Sequence, residues 1–343
     1  MACSPWTPMP GGCPFPTLLE PQWPPPPYRG DHGESMKGRK WIQVGLALAL
    51  LALAIGTLVH LSRTMSWTSL HKSFADTSWS SMLIALGATV ASFTVLALYE
   101  RYATQAVVPG RIPLGQSLSV GWMAHALSNT LGFHAFTGGA VRYRAYKARG
   151  LNAIDIGSIV TLVGISVGLG SGGLLAITMI IAPEDPWTHR VAGAIIAVAL
   201  LATIWWLPAA SGKKPFRHVT VPRIRRAWLA QQLVLGLIEA TAAAIAFYIL
   251  LPEGAVPSFT GLVPVLVIGV LIGIISHSPG GLGVFEATVL AALPSVPGEE
   301  VLAALVLYRL IYNLLPCAAA VLVFSWQYFL RKRLANQPAP GEA

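Results

Sequence analysis

The feature that most constrains this chain is a series of apolar segments long enough to cross a lipid bilayer. A hydrocarbon core about 30 Å thick needs about 20 apolar residues in a helix. Apolar residues make up 54% of the chain and charged residues only 11%, whereas soluble domains carry about 25% charged residues. We therefore predict an all-α, polytopic integral membrane protein. Six segments meet the length with few internal charges: roughly residues 41–61, 79–99, 155–182, 190–208, 227–251 and 303–329.

Two further apolar segments, about residues 116–140 and 259–294, are interrupted by Gly, Pro, Asn and His. Arg101 and Arg111 precede the first of them and four basic residues follow it. Cytoplasmic loops hold the excess of basic residues, so this segment should enter the membrane from the cytoplasm and return to it. The second segment follows Glu253 on the outer face and must return there, so that the last span ends inside.

We thus predict about six full spans plus two re-entrant, broken-helix hairpins that enter from opposite faces. Lipid cannot satisfy the N–H and C=O groups of non-helical backbone, so such backbone must be shielded by protein or line a watery cavity. The hairpins therefore imply a solvated centre. Each hairpin lies between two spans, and the two halves are upside-down copies in topology. Such inverted repeats are typical of secondary transporters, in which the broken segments mark the substrate site.

Both chain ends are predicted to be cytoplasmic, because residues 37–40 and 331–333 are rich in Lys and Arg. Residues 1–36 contain ten prolines and few aliphatic residues. This tail should be disordered, or it lies upstream of a true start at Met36. The predicted organisation is a disordered proline-rich tail (1–36), a transmembrane domain (37–333) and a short disordered tail (334–343).

Several other classes of protein are disfavoured. The net charge of +9 comes from basic clusters beside apolar runs, so no nucleic-acid partner is expected. The stretch GLGSGG at residues 168–173 lies inside an apolar run without a preceding strand, which argues against a dinucleotide site. His125, His134 and His277 lack metal-ligand spacing, and no nucleophile stands in a catalytic pattern. We expect no metal, no cofactor and no enzymatic activity.

The two hairpins also resemble each other in sequence. The octapeptides TGGAVRYR and PGGLGVFE align without gaps, which matches Gly138 and Gly139 to Gly280 and Gly281. We predict that these glycines form the hairpin tips. Helices that begin after each tip would direct free N–H groups at a phosphate. In the alternative reading, the glycines serve only for turning and packing.

Ionisable residues in or beside apolar segments are costly unless paired or hydrated, and they mark functional sites. Glu286 is expected to pair with Arg309 or Arg144. A lipid phosphate or ammonium group would compete for one member of that pair. Alternatives stay open: a static salt bridge, a positive-inside role for the hairpin arginines, a packing role for Glu239, and bonding of broken-helix backbone by Asn129 and Asn313. The candidate substrate-binding residues are Glu286, Arg309, Arg144, Arg142, Gly138, Gly139, Gly280, Gly281, Glu239 and Asn129.

Other glycines have the spacing of helix-packing positions. Gly164, Gly168 and Gly172 recur every four residues, as do Gly269 and Gly273, and glycine lets membrane helices approach closely. Such faces are also compatible with a homodimer, which spacing alone does not prove.

Two stretches at the hairpins resemble a known family. They are LSNTLGFHAFTGGAVRYRAY (Leu127–Tyr146) and ISHSPGGLGVFEATVL (Ile275–Leu290), and they look like the membrane region of the lysylphosphatidylglycerol synthetase/flippase family. The likeness covers most of residues 40–330. It implies a bacterial inner-membrane protein that moves an anionic or aminoacylated phospholipid between leaflets. The family's hairpin motifs fall on Asn129, Gly132, Gly138, Gly139, Arg142, Arg144, Pro279, Gly280, Gly281, Gly283 and Glu286.

In bifunctional members of that family, a soluble carboxyl-terminal domain makes the lipid from aminoacyl-tRNA. This chain ends at Ala343, eleven residues after Lys332, so we expect no synthase domain and no aminoacyl transfer. The resemblance implies lipid translocation. The alternative is a non-transporting membrane partner of a separately encoded lipid-modifying enzyme.

Overall fold

The computed structural model describes residues 77–132, 134–182, 186–210, 224–256, 258–275, 279–281, 283–294 and 296–335. Three parts of the sequence prediction lie outside these residues: the proline-rich tail at 1–36, the first span at 41–61, and residues 336–343 of the carboxyl-terminal tail. The described residues form helices and connecting turns, with no strand among them.

The helices are numbered in chain order. They are α1 (Trp79–Val107), α2 (Leu114–Leu131), α3 (His134–Lys147), α4 (Ala153–Ile181), α5 (Trp187–Ala210), α6 (Arg226–Tyr248), α7 (Phe259–Ile275), α8 (Val284–Ala292), α9 (Gly298–Tyr308) and α10 (Leu315–Ala335). A π-helical segment, Arg309–Leu314, joins α9 to α10. A short 3₁₀ turn, Pro279–Gly281, precedes α8.

Five helical runs in the described residues are long and apolar enough to cross a membrane. Each covers 23 to 29 residues, about 35–44 Å at the rise of an α-helix, and so exceeds a hydrocarbon core of about 30 Å. The protein is therefore an all-α, polytopic membrane protein, and the five predicted spans within this part are confirmed. The runs are Trp79–Val107, Ala153–Ile181, Trp187–Ala209, Arg226–Tyr248 and Gly298–Val323.

The long helices alternate in direction. α4 and α6 run parallel, because Ser166 Oγ donates to Gln232 Oε1 at 2.9 Å and, one turn further on, Gly170 faces Gly236. The start of α1 and the end of α6 line one cavity, so these two helices run antiparallel. These relative directions agree with the predicted order of the spans.

α5 lies at the edge of the bundle. Its Gly193 packs against Met179 of α4, but most of its large apolar side chains are exposed. Trp187 is 74% exposed near one end and Trp205 is 59% exposed near the other, about 27 Å apart along the helix. Tryptophans at this spacing are typical of the two membrane–water interfaces. Arg226, at the start of α6, lies over the Trp205 ring at 4.0 Å, which places the start of α6 at the same interface.

The first broken segment is a helical hairpin. Gln116 Nε2, near the start of α2, donates to the carbonyl of Ala145, near the end of α3, at 3.4 Å, so the two helices are antiparallel. Arg111, before the hairpin, donates to the carbonyl of Gly150, after it, at 3.5 Å. The chain therefore leaves and returns at the same end of the bundle.

The second broken segment is also a hairpin, made by α7 and α8. Gly269 of α7 packs against the Phe285 ring of α8, and Gly273 packs against Gly281 in the turn. The predicted packing role of these two α7 glycines is thus confirmed. Their missing side chains let the returning helix lie close to α7.

The turns do not fall at both predicted glycine pairs. Gly280 and Gly281 have φ of 60° and 68° and make the turn of the second hairpin, as predicted. In the first hairpin the turn falls at Gly132, with φ of 76°, whereas Gly138 and Gly139 lie inside α3. The prediction for that pair is wrong, because adjacent glycines permit a turn without requiring one and each costs a helix only about 1 kcal/mol.

Helices α4 and α6 approach closely at two glycines. A Cβ added to Gly170 would collide with the backbone of Gly236, and the reverse holds as well. The predicted packing face of α4 is only partly used within this chain: Gly172 touches α5, whereas Gly164 and Gly168 are exposed, with nothing within 4 Å of an added Cβ. The glycine-rich stretch of α4 places glycines on more than one face, so spacing alone does not identify the packed face.

This contact predicts opposite outcomes for two alanine substitutions. Gly236→Ala should lower the free energy of unfolding by about 1–3 kcal/mol, because overpacking displaces backbone. Gly168→Ala should be neutral or slightly stabilising, since alanine is the better helix former. The stability of both variants is measured by thermal unfolding in detergent, with size-exclusion chromatography used to monitor the loss of folded protein. Equal unfolding temperatures for the two variants would contradict the close contact.

Candidate functional site

The two hairpins converge on one buried ion pair. Glu286 of α8 and Arg309 of the π segment lie 2.5 Å apart, with side chains only 7% and 10% exposed. Glu286 also accepts the N–H of Gly283 at 2.8 Å, which caps α8. Arg309 Nη1 donates to the carbonyl of Gly280 at 3.1 Å. We call Glu286, Arg309 and Gly280 the tip site.

The first hairpin meets the tip site from the other side. The carbonyl oxygen of Thr130, near the end of α2, lies 2.6 Å from where a Cβ of Gly280 would stand, so only glycine fits there. Thr130 Oγ1 donates to the carbonyl of Asn313 at 2.9 Å, and Asn313 Nδ2 donates to the carbonyl of Asn129 at 3.4 Å. The expectation that Asn313 bonds broken-helix backbone is confirmed. Both hairpin turns therefore touch the π segment.

The Arg309 guanidinium keeps unused donor capacity. Its Nε is buried and has no hydrogen-bond partner among the described residues. A buried donor without a partner costs about 1–3 kcal/mol, and such an orphan points to a ligand, a water or a second conformation. An acceptor with several oxygens, such as a phosphate, fits this donor and the neighbouring Nη groups.

The π segment is explained by a proline that follows it in the sequence. Pro316 lacks the N–H that would bond the carbonyl of Tyr312 in an α-helix. The chain instead takes a wider turn, in which the N–H of Leu315 bonds the carbonyl of Leu310. Such π-bulges are frequent at functional sites. The wider turn lets Arg309, Tyr312 and Asn313 contact neighbouring elements. The sequence predicted only an uninterrupted membrane-spanning helix here.

A second buried ion pair holds the first hairpin to α1. Arg142 Nε lies 2.8 Å from Glu100 Oε2, and the two side chains are 4% and 0% exposed. The hydroxyl of Tyr146 donates to Glu100 Oε1 at 2.7 Å, and Arg142 Nη2 lies 3.5 Å from His125 Nε2. Gly138 permits this packing, since a Cβ there would lie 2.8 Å from Arg142 Nη1.

Sequence reasoning missed Glu100 and left the role of Arg142 open. The predicted span ended at residue 99, which assigned Glu100 to a loop, but α1 continues to Val107. The signal was present in the sequence, because a carboxylate one residue beyond an apolar run can lie on a continuing helix. Arg144 is exposed on α3, and Glu286 pairs with Arg309 rather than with it. Gly139 faces open space.

Glu239 occupies a third polar cluster, between α1, α6 and the π segment. It is 7% exposed and accepts from Ser92 Oγ at 3.1 Å and from the Tyr312 hydroxyl at 3.5 Å. Ser92 and Tyr312 also share a hydrogen bond of 2.7 Å. Tyr312 stacks on Tyr308 with centroids 5.1 Å apart. The structure therefore separates Glu239 from the tip site and connects the two through the π segment.

A shallow groove and a cavity flank these clusters. The groove is wide open along the surface of α8 and is lined by Gly283, Ala287, Thr288 and Ala291 among others. The cavity, of about 620 Å³, lies at the end of the bundle that carries Glu253. Neither is lined by Glu286 or Arg309, so a solvated centre between the tips stays a prediction. The observed tips are packed together.

The Glu100–Arg142 pair makes a prediction about stability. Glu100→Gln should lower the free energy of unfolding by about 3–5 kcal/mol, because it leaves an uncompensated buried cation. The double variant Glu100→Gln with Arg142→Gln should recover part of that loss. Thermal unfolding in detergent measures both, with the exposed Arg149→Gln as a control near the wild-type value. A double variant less stable than Glu100→Gln alone would refute the stranded-charge argument.

Comparison with known proteins assigns the chain to a family. Residues 41–320 match the family model described as the lysylphosphatidylglycerol synthase TM region. The chain is 28% identical over 317 residues to an uncharacterized protein of Synechocystis, covering 89% of this chain and 97% of that one. It is 25% identical over 295 residues to the phosphatidylglycerol lysyltransferase of Staphylococcus aureus, covering 84% of this chain but only 34% of the lysyltransferase. Since the family match covers most of its length, the chain belongs to the lysylphosphatidylglycerol synthase TM-region family.

Proposed function

We propose that this protein moves an anionic or aminoacylated phospholipid between the leaflets of a bacterial inner membrane. In this proposal the α2–α3 and α7–α8 hairpins are re-entrant, form an inverted repeat and enter from opposite faces. The tip site is the point at which the lipid headgroup is bound. The proposal gives the chain a transport role and assigns it no covalent chemistry.

The observation that carries the proposal is the tip site itself. A charge pair buried in a membrane bundle marks a functional position, and Arg309 retains a buried Nε donor without a partner among the described residues. A lipid phosphate supplies acceptors for that donor, and the ammonium of an aminoacyl group competes with Arg309 for Glu286. Either headgroup charge can therefore replace one member of the existing pair.

The hairpin geometry supports access from both faces. The first hairpin starts and ends beside the inner ends of α1 and α4, and the second beside the outer end of α6, in the orientation that the basic residues favour. Glu253, Glu299 and Glu300 lie at the opposite end of the bundle from the base of the first hairpin. The basic residues at that base are Arg101, Arg111, Arg144, Lys147 and Arg149. This asymmetry supports cytoplasmic placement of that end and of both termini.

The groove along α8 supports a lipid as the ligand. Its lining is dominated by small side chains and backbone, including Gly283, Ala287 and Ala291. It runs beside the helix whose first turn contains Glu286. An acyl chain in this groove would keep its headgroup within one helical turn of the tip site. The exposed Gly164 and Gly168 of α4 offer a face for a homodimer, which the proposal includes but does not require.

The relatives support the class of lipid. The name of the Staphylococcus aureus relative refers to phosphatidylglycerol, an anionic lipid, and to its lysyl derivative. The similarity covers only about a third of that protein, so the proposal takes from it the class of lipid and not the lysyl transfer.

The test is lipid movement by purified protein in liposomes. Wild-type protein should move fluorescent phosphatidylglycerol, followed by quenching of the outer leaflet, faster than protein-free vesicles move it. Glu286→Gln and Arg309→Gln should each slow movement by roughly ten- to hundredfold, the size of one lost charge-assisted hydrogen bond. Glutamine at position 286 still offers an oxygen to the Gly283 N–H, which favours retention of the turn.

Two controls make the result decisive. Glu253→Gln removes an exposed carboxylate far from the tip site and should move lipid at the wild-type rate. All variants are compared at equal amounts of monodisperse protein. Equal rates for wild type, both tip variants and protein-free vesicles would refute the proposal. Co-purification with a lipid-modifying enzyme, without lipid movement, would favour the non-transporting partner.

A further inference from the structure

Three glutamates are buried in the described helices, and two of them have an arginine. Glu100 pairs with Arg142, and Glu286 pairs with Arg309. Glu239 has no cation within ion-pairing distance among the described residues and accepts hydrogen bonds only from hydroxyl groups. An unpaired carboxylate buried in an apolar medium is so costly that such a group binds a proton instead.

Glu239 lies too deep in the membrane for its carboxylate to reach water at either interface. It lies 13 residues after Arg226, about 20 Å along α6 from the interface marked by Trp205. Tyr248, the last residue of α6, is about 14 Å further on. Glu239 is therefore near the middle of the bilayer, remote from both interfaces.

The described side chains that interact with Glu239 bear hydroxyl groups, and none of them carries a positive charge. Tyr99 of α1, Tyr308 of α9 and Tyr312 of the π segment are the titratable side chains that face it. The described parts of α4, α5 and α7, which also pack on α6, carry titratable groups only near helix ends. These are Asp155 in the first turn of α4 and His189 and Arg190 in the first turn of α5.

The π segment connects this carboxyl group to the tip site. Tyr312 donates to Glu239, and Arg309, three residues earlier in the same segment, holds Glu286 and the Gly280 carbonyl. Each hydrogen bond of a π segment spans one residue more than that of an α-helix, so a change in which carbonyl is bonded rotates the side chains that the segment carries. Loss of the proton leaves Glu239 as a buried carboxylate, for which its two hydroxyl partners are too few donors. The site must then admit water, which displaces the π segment that carries both Tyr312 and Arg309.

We infer that Glu239 is a proton-binding site that couples lipid movement to the proton gradient. The inference rests on the proposed function. Proton binding stabilises the packed state, in which Tyr312 and Ser92 surround a neutral carboxyl group and the tips are joined. Proton release requires water or a cation at Glu239, and that state has the π segment displaced and the tip site open to a headgroup.

The experiment measures lipid movement and protonation separately. Proteoliposomes with and without a pH gradient are loaded with fluorescent phosphatidylglycerol, and its distribution between leaflets is followed. For one proton per lipid, each unit of pH supports at most about a tenfold accumulation in one leaflet. Wild-type protein and Glu253→Gln should show this gradient-driven accumulation. Glu239→Gln should move lipid at the same rate with and without the gradient.

Infrared difference spectroscopy provides the second measurement, on protein without added lipid. Wild-type protein should show a carboxylic acid C=O band that disappears as the pH rises, and Glu239→Gln should lack it. Tyr312→Phe should keep the band but lose the response of lipid movement to the gradient, because its link to the π segment is broken.

The outcomes distinguish the two proposals. Lipid movement that ignores the gradient in the wild type would overturn proton coupling and leave the transport proposal intact. If no lipid moves in any sample, the transport proposal fails and the infrared titration alone decides the proton site. A wild-type spectrum without a Glu239-dependent band would overturn it.

Discussion

The position of the second hairpin depends on a buried charge pair. Neither partner is exposed enough for water to solvate its charge if the other moves away. Glu286 and Arg309 are both nearly buried within a bundle that crosses the bilayer, where leaving either charge alone costs several kcal/mol. Each partner also holds backbone: Glu286 caps α8, and Arg309 bonds the Gly280 carbonyl. The pair therefore cannot open without loosening the turn, so the charge state of the tip site and the position of the hairpin change together.

The same constraint explains why three buried glutamates have three different environments. Glu100 has an arginine and a tyrosine, which suits a fixed strut between α1 and the first hairpin. Glu286 pairs with an arginine that has an unused N–H donor. Such a pair suits a site at which a charged ligand takes the place of one partner. Among the described residues Glu239 has only hydroxyl partners, which suits the proposed proton-binding site. The π segment contacts the last two glutamates, so in the proposed cycle it is the element through which the proton and the headgroup would act on each other.

The residues of the tip site could be predicted from the sequence because charged residues are rare in apolar segments. Glu286 and Arg309 are ionisable residues inside apolar segments, and their pairing follows from the cost of leaving either alone. Gly280 follows a proline, which ends a helix and favours a turn, whereas Gly138 is followed by residues that continue a helix. That local context separates the correct tip prediction from the wrong one. Glu100 was missed because an apolar window ends before the helix does. The π segment was missed because Pro316 predicts that one helical hydrogen bond is lost, but not which wider turn replaces it.

The most direct measurement locks the first hairpin to the last helical run. Cys317 of α10 lies close to Thr130 of α2, so Thr130→Cys brings two thiols near each other. Cys3 and Cys13 are replaced by serine to keep the reaction specific. In liposomes, oxidation of this pair should stop lipid movement, and reduction should restore it. Cross-linked protein that moves lipid at the rate of the reduced form would show that the first hairpin need not move away from the helix that follows the π segment, which contradicts the proposed cycle.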